Sequence, residues 1–316
     1  KKLVSLVLAL MLCLSCVSAL AAEAWTVTCP WAPSGVAAMV NQKAASLSTT
    51  YSQDYVLVAN AEKGDTATIN SWLTKYTEAD PQMCFIGEGM FGITAILDPE
   101  RMNFTYDDFE YVENLYSSIF VASARKELGL TSIDALKAYL EEGNQIMVGT
   151  NGATGSEAFL AAALIGAMGY GDQFYLIPYE SAAEAAQAVA RGEVDIAVSH
   201  QSQILETWQQ GGVDVFAAFD GEPIAQGPFK GVEGVGQYGY PYFRNRCFIF
   251  AKAGADEQKI ADLKALYAQI LTDEEMVDWL NNTMLLEADM MTEEEVIAHI
   301  DNVKNIVEEY YDLVAE

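Results

Sequence analysis

The stretch Gln145–Met168, QIMVGTNGATGSEAFLAAALIGAM, joins a short apolar run to an apolar helical pattern through a turn of small polar residues. Gln145–Thr150 reads as a buried strand and Ser156–Met168 as a helix; repetition of that unit builds a parallel sheet covered by helices. The alternation continues with Phe174–Pro178, a helix at Ser181–Arg191, Val194–Ser199, a helix near Gln203–Gln210, and Val213–Phe219. It has already run once upstream, as Trp25–Cys29, a helix from about Val36, Tyr55–Ala59, a helix from about Thr66, and Gln82–Ile86. Two α/β units are therefore expected. Tyr111–Ala124 and Phe243–Lys252, the long apolar segments flanking the second unit, read as crossings between them. The Gly- and Pro-rich loop Asp220–Tyr242 reads as a surface excursion. Asp256–Glu316 reads as helices packing back on the first unit, with capping-box pairs at Thr272/Glu275 and Thr292/Glu295.

The 316 residues include 45 Asp plus Glu against 17 Lys plus Arg, a formal charge of −28, with two His, five Cys and 51% hydrophobic residues. That composition supports one or two large cores rather than a disordered chain. The negative charge speaks against nucleic acid as a partner, because polyanion binding needs basic residues to displace counterions. Two histidines leave little material for a metal cage or a His-paired nucleophile, so no metal and no cofactor is expected. No G-x-S-x-G elbow, phosphate-binding loop or dinucleotide fingerprint occurs, and an enzyme is not expected.

Lys1-Lys2, the apolar run Leu3–Leu14 and the small residues ending Ala19-Leu20-Ala21 match an export signal over residues 1–21. The expected product is an exported, periplasmic or extracytoplasmic chain starting near Ala22. Cys13 and Cys16 raise the alternative of a lipid anchor, although the residues before them fit a lipobox poorly. Cys29, Cys84 and Cys247 each lie in an apolar strand-like stretch and read as buried thiols.

In such sheets ligands bind beyond the carboxyl ends of the strands, where helices begin and free amides point outward. The informative turns are Pro30–Val36, Asn60–Thr66, Gly87-Glu88-Gly89, Thr150–Ser156, Pro178–Ser181 and Ser199–Ser202. Thr150–Ser156 gathers three hydroxyls, an amide and two glycines at a helix start without a carboxylate. It suits an anion, although Thr154 or Ser156 also fits a plain helix cap. The loops 30–38 and 149–156 carry no charge, whereas residues 273–316 carry 14 acids against Lys304. That distribution leaves the field of the helix ends unopposed near a small anion.

The order of VTCPWAPSGVAAMV, VANAEKGDTATI, FEYVENLYSSIFVASARKEL, MVGTNGATGSEAFLAAAL, IPYESAAEAAQAVARGEVDIAV and FIFAKAGADEQKIADL resembles the extracytoplasmic solute receptors of tripartite tricarboxylate transporters. The resemblance covers nearly the whole mature chain. It is most specific at Thr150–Ser156, Pro178-Tyr179 and Arg191–Asp195. It implies an α/β, two-lobed type II periplasmic-binding-protein fold, each lobe a mixed, mainly parallel sheet flanked by helices. Residues 22–118 plus 247–316 would form lobe 1 and residues 119–246 lobe 2. The implied function is capture of a small organic anion, a di- or tricarboxylate or related carboxylate, for delivery to the transporter membrane subunits. The alternative is a receptor of the same fold for an amino acid or a neutral metabolite.

Carried over residue by residue, lobe 1 would contribute Trp31, Ser34, Gly35, Val36, Lys63, Gly64, Asp65 and Thr66. Lobe 2 would contribute Asn151, Thr154, Gly155, Ser156 and Tyr179, with Ser199 and His200 at the end of a strand. The chain departs from the family in two loops. Ala38 stands where the first loop usually has an acid, and Lys63-Gly64-Asp65-Thr66 stands where the second is usually glycine-rich. Lys63 is either a charged ligand contact or a solvated loop lysine. Arg244 and Arg246, two apart on a strand, share a face; they either reach the cleft or neutralise acids near the hinge.

Overall fold

The computed structural model describes residues 22–314, so the export-signal reading and Cys13 and Cys16 lie outside the described residues. Among the described residues, ten strands form two five-stranded sheets. The first contains β1 (Glu23–Cys29), β2 (Tyr55–Ala61), β3 (Gln82–Gly87), β4 (Phe109–Ser118) and β10 (Asn245–Lys252), in the order β2-β1-β3-β10-β4. The second contains β5 (Phe120–Arg125), β6 (Ile146–Asn151), β7 (Phe174–Tyr179), β8 (Ile196–His200) and β9 (Val213–Ala218), in the order β7-β6-β8-β5-β9. Each sheet is thus mixed, with the same arrangement: β1 lies parallel to β2 and β3, and β6 parallel to β7 and β8. The fourth strand, β10 or β5, runs antiparallel to both neighbours. That strand is the first element after each crossing. Entering from the cleft side, it must run opposite to the strands that end there.

Among the described residues, eight helices of eight residues or more cover the sheets: α1 (Val36–Tyr51), α2 (Thr66–Lys75), α3 (Ile133–Glu141), α4 (Ser156–Ala167), α5 (Ala182–Ala190), α6 (Gln201–Gln209), α7 (Glu257–Leu271) and α8 (Glu293–Glu309). The helix α4 is apolar around its whole circumference, and Ser156 through Gly166 are all buried. A helix of that kind is stable only where it is covered on every side. Sheet 2 covers one side, and Val303 and Val307 of α8 join the same cluster. The last long helix therefore does not pack on the first unit alone. Val296 and Ile300 belong to a lobe 1 cluster, whereas Val303 and Val307 belong to lobe 2's, so α8 spans both lobes.

The capping box expected at Thr292 is present, its hydroxyl accepting from the Glu295 amide. At the other position the cap falls one residue later. Asp273 accepts from the amides of Glu275 and Met276, while the Thr272 hydroxyl turns back to the carbonyls of Ala268 and Gln269. A carboxylate is the stronger acceptor for paired amides, so it takes the cap. Cys29, Cys84 and Cys247 are buried and free, and burial pushes the Cys29 thiol up to about 12. Among the described residues no helix is long and apolar enough to cross a membrane, and no cluster of potential metal ligands occurs.

Candidate functional site

The carboxyl ends of β1, β3, β6, β7 and β8 and the first residues of β5 and β10 converge on one cavity of about 580 Å³ between the sheets. From lobe 1, Trp31, Gly35, Val36, Lys63, Gly64 and Asp65 line it. Lobe 2 contributes Asn151, Thr154, Gly155, Ser156, Tyr179 and His200. Three residues of the sequence reading do not line it. Ser34 is exposed; Thr66 is buried in the first turn of α2; Ser199 is buried, and its hydroxyl lacks a partner.

Local geometry explains how these turns are held. The β6–α4 turn needs Gly152 at φ 73°, a left-handed value that glycine adopts without strain. Its amide donates to the Tyr179 carbonyl, and the Thr150 hydroxyl donates to the Gly152 carbonyl. Gly87 packs against the Trp31 ring, where a Cβ would stand in ordinary contact at 3.4 Å, and the indole forms part of the lobe 1 wall. Asp65 takes φ 51°, an uncommon value for a residue with a Cβ, in the loop where the resembling family has glycines. Its amide and that of Gly64 both donate to the Pro30 carbonyl, which holds the turn.

The hydroxyls expected to meet a ligand are engaged by the protein itself. Ser156 Oγ donates to Glu88 Oε1 at 3.0 Å, and Thr154 Oγ1 accepts from Arg101 Nη1 at 2.9 Å. Both bonds cross from one lobe to the other, as does the Lys63–Glu180 ion pair at 2.9 Å. The lobes are therefore in contact on both sides of the cavity. His200 is neutral: burial pulls its pKa down to about 3, and its Nδ1 lies 2.8 Å from Ser118 Oγ. Arg244 and Arg246 do not line the cavity. Arg244 pairs with Asp220 at 2.9 Å and Glu287 at 2.7 Å, and Arg246 with Asp289 at 2.6 Å.

The sequence reading took Asp65 as a site residue and left out the other acids of the cavity, Glu88, Asp98, Glu157 and Glu180. Lys63 and Arg101 face Asp65, Glu88, Asp98, Glu157 and Glu180 around its lining, an excess of three carboxylates. The uncharged turns 30–38 and 149–156 are thus flanked by acids contributed from just outside them, and the field at the helix ends is opposed. Glu88 is fully buried; burial raises its pKa, while Asn245 Nδ2, the Arg246 amide and Ser156 Oγ hold the charged form. Glu157 follows Ser156 directly. Burial pushes its carboxyl up to about 8; its own amide works against that shift, and the charges of Glu88 and Asp65 add to it. In Asp65 burial also raises the pKa, opposed first by Arg101. Glu88 and Glu180 stand inside marked turns, and Glu157 directly follows one. Arg101, in a short turn far along the chain, carried no local signal.

The start of α1 differs from that of α4. Gly35, Val36 and Ala37 line the cavity, no side chain caps this helix, and its first turn holds no acid. Its free amides are the better anion seat of the two, since α4 has Glu157 in its own first turn.

No family model and no curated protein sequence matches the chain. Solved structures do. The Rhodopseudomonas palustris protein Rpa4515 with adipate superposes with a TM-score of 0.80 at 15% identity, covering 92% of this chain and 96% of that one. MatC from Rhodopseudomonas palustris with bound malate gives 0.76 at 17% identity, covering 92% and 98%. A TctC solute binding protein from Polaromonas gives 0.70 at 15% identity, covering 90% and 98%. The chain has the two-lobed type II periplasmic-binding-protein fold that these proteins share.

Proposed function

We propose that the chain is an extracytoplasmic solute receptor of the tripartite tricarboxylate type. It captures a small organic carboxylate between its lobes and delivers it to the transporter's membrane subunits. The observation that carries this reading is a cavity built from loops of both lobes, with the uncapped, acid-free start of α1 facing it. Its volume of about 580 Å³ lies within the usual range of small-molecule sites. Adipate and malate in structures of the same fold support a carboxylate as the captured group. A ligand that touches both lobes stabilises the closed arrangement, because opening forfeits its contacts with one of them.

The test is a thermal-shift panel of mono-, di- and tricarboxylates on the purified protein. A carboxylate at about 100 times its Kd adds roughly 2.7 kcal/mol to stability, a shift of several degrees. If every carboxylate leaves the Tm unchanged while a neutral solute raises it, the carboxylate reading fails.

A further inference from the structure

The cavity holds a buried carboxyl group that no donor from another residue meets. Glu157 lines the cavity at 5% exposure, and among the described residues its carboxylate has no hydrogen-bond donor from any other residue. The contrast with Glu88 is sharp, since that buried acid is met by three donors. The bases of the cavity are already committed: Lys63 to Glu180, and Arg101 to Asp65, Asp98 and Thr154. Burial penalises the charged form of Glu157, so the group keeps its proton until a cation meets it. Glu157 lines the cavity from lobe 2, and the acid-free start of α1 lines it from lobe 1.

We infer that the captured carboxylate also carries a protonated amine, and that Glu157 accepts the N–H groups of that amine. The solute class is therefore amino acids in the broad sense, with the carboxylate at α1 and the ammonium at Glu157. This rests on the receptor reading above and narrows it. Charge balance favours it: with Glu157 protonated the lining still sets four other acids against two bases, and a dicarboxylate would add two further negative charges whereas a zwitterion adds none of its own. The aromatic rings of Trp31, Tyr179, Tyr116 and Phe120 in the same lining suit a cation as well.

The pH dependence of binding gives the sign. Glu88 behind β3 and Asp65 before α2 face Glu157 and oppose its charge. Cys247 on β10 carries a buried neutral thiol, and His200 on β8 is uncharged. Glu180 and Asp98 are held by Lys63 and Arg101 at the rim. In the empty protein Glu157 therefore keeps its proton to about pH 8. An ammonium needs the ionised form, so its affinity falls on acidification, by at most about tenfold per pH unit below 8. A simple carboxylate that shared the Glu157 proton would show the opposite trend.

The experiment is calorimetric titration of the full chain with the 20 standard amino acids (~20 probes, enough to sample side-chain size and charge) and γ-aminobutyrate. Each is run beside the acid of the same skeleton without the amine, such as acetate for glycine, butyrate for γ-aminobutyrate and glutarate for glutamate. The expected result is that at least one amine-bearing acid binds while its twin does not. Affinity for it should rise from pH 6 to 8, and Glu157→Gln should weaken it roughly 10- to 150-fold. Glu157→Asp, which keeps the charge, should retain part of the affinity, and unliganded Tm shows whether both variants fold. If a twin binds as well as its amine, or binds better at low pH, the inference is overturned and the carboxylate receptor stands. Amine binding that Glu157→Gln does not weaken overturns the role of Glu157. If no acid binds with or without its amine, the receptor reading falls too.

Discussion

Glu157 has a consequence even without a solute. Its folded pKa of about 8 lies above the usual 4.5, so between those values the folded chain keeps a proton that the unfolded chain releases. Stability contributed by that proton is present below about pH 4.5 and is lost as pH rises towards 8, with a slope of at most ~1.4 kcal/mol per unit. Glu157→Gln is therefore expected to flatten the fall in urea-unfolding stability between pH 5 and 8. Some slope should remain, because burial also raises Glu88 and Asp65. Equal slopes in the two proteins would show that Glu157 is ionised when folded. Ser156 makes a second case. Its hydroxyl donates to a buried carboxylate across the cleft, so Ser156→Ala should cost about 1.5–3 kcal/mol of closed-state stability and appear as weaker solute binding.

Among elements, the turn after β3 and the start of α4 meet from opposite lobes. Gly89 has helical φ and ψ, so alanine suits its backbone, yet a Cβ there would lie 2.7 Å from Ser156 Oγ. Gly89→Ala is expected to leave the Tm within a few degrees and to hold the lobes apart. Small-angle scattering should then give a larger radius of gyration with solute than the parent shows; the same radius would mean that Ser156 rotates away without cost. The elements themselves were legible in the sequence because their signals are local. The Thr292 cap and the starts of α1, α2 and α4 fall at the expected residues. The Thr272 cap did not, since two adjacent acceptors compete and only the folded turn shows which one the amides face. The path of α8 across both lobes was not legible either, because Val296, Ile300, Val303 and Val307 form one apolar stripe whose partners are far away in sequence.

For the whole molecule, closure rests on few direct lobe-to-lobe bonds near the rim. Lys63 and Glu180 have side chains 53% and 80% exposed, and pairs of that kind contribute about 0–1 kcal/mol. Lys63→Ala should therefore change solute affinity by less than about fivefold, far below the effect of Glu157→Gln, and the difference should vanish in high salt. A larger loss, persisting in 1 M salt (~3 Å Debye length), would mean that Lys63 touches the solute. Binding itself should reduce the radius of gyration, because the solute and not the rim pairs holds the lobes together.

By itself the sequence determined the strand and helix alternation, the two units, the two crossings and the turns at the cleft, since hydrophobic period and capping act over a few residues. It also marked 12 of the residues that line the cavity. Only the tertiary structure decided the charge of the cleft. Asp65, Glu88 and Glu157 come from three separate turns, and their mutual repulsion and lost hydration exist only once the two lobes enclose them. Proximity and burial set an electrostatic field, and neither can be read from turns taken one at a time.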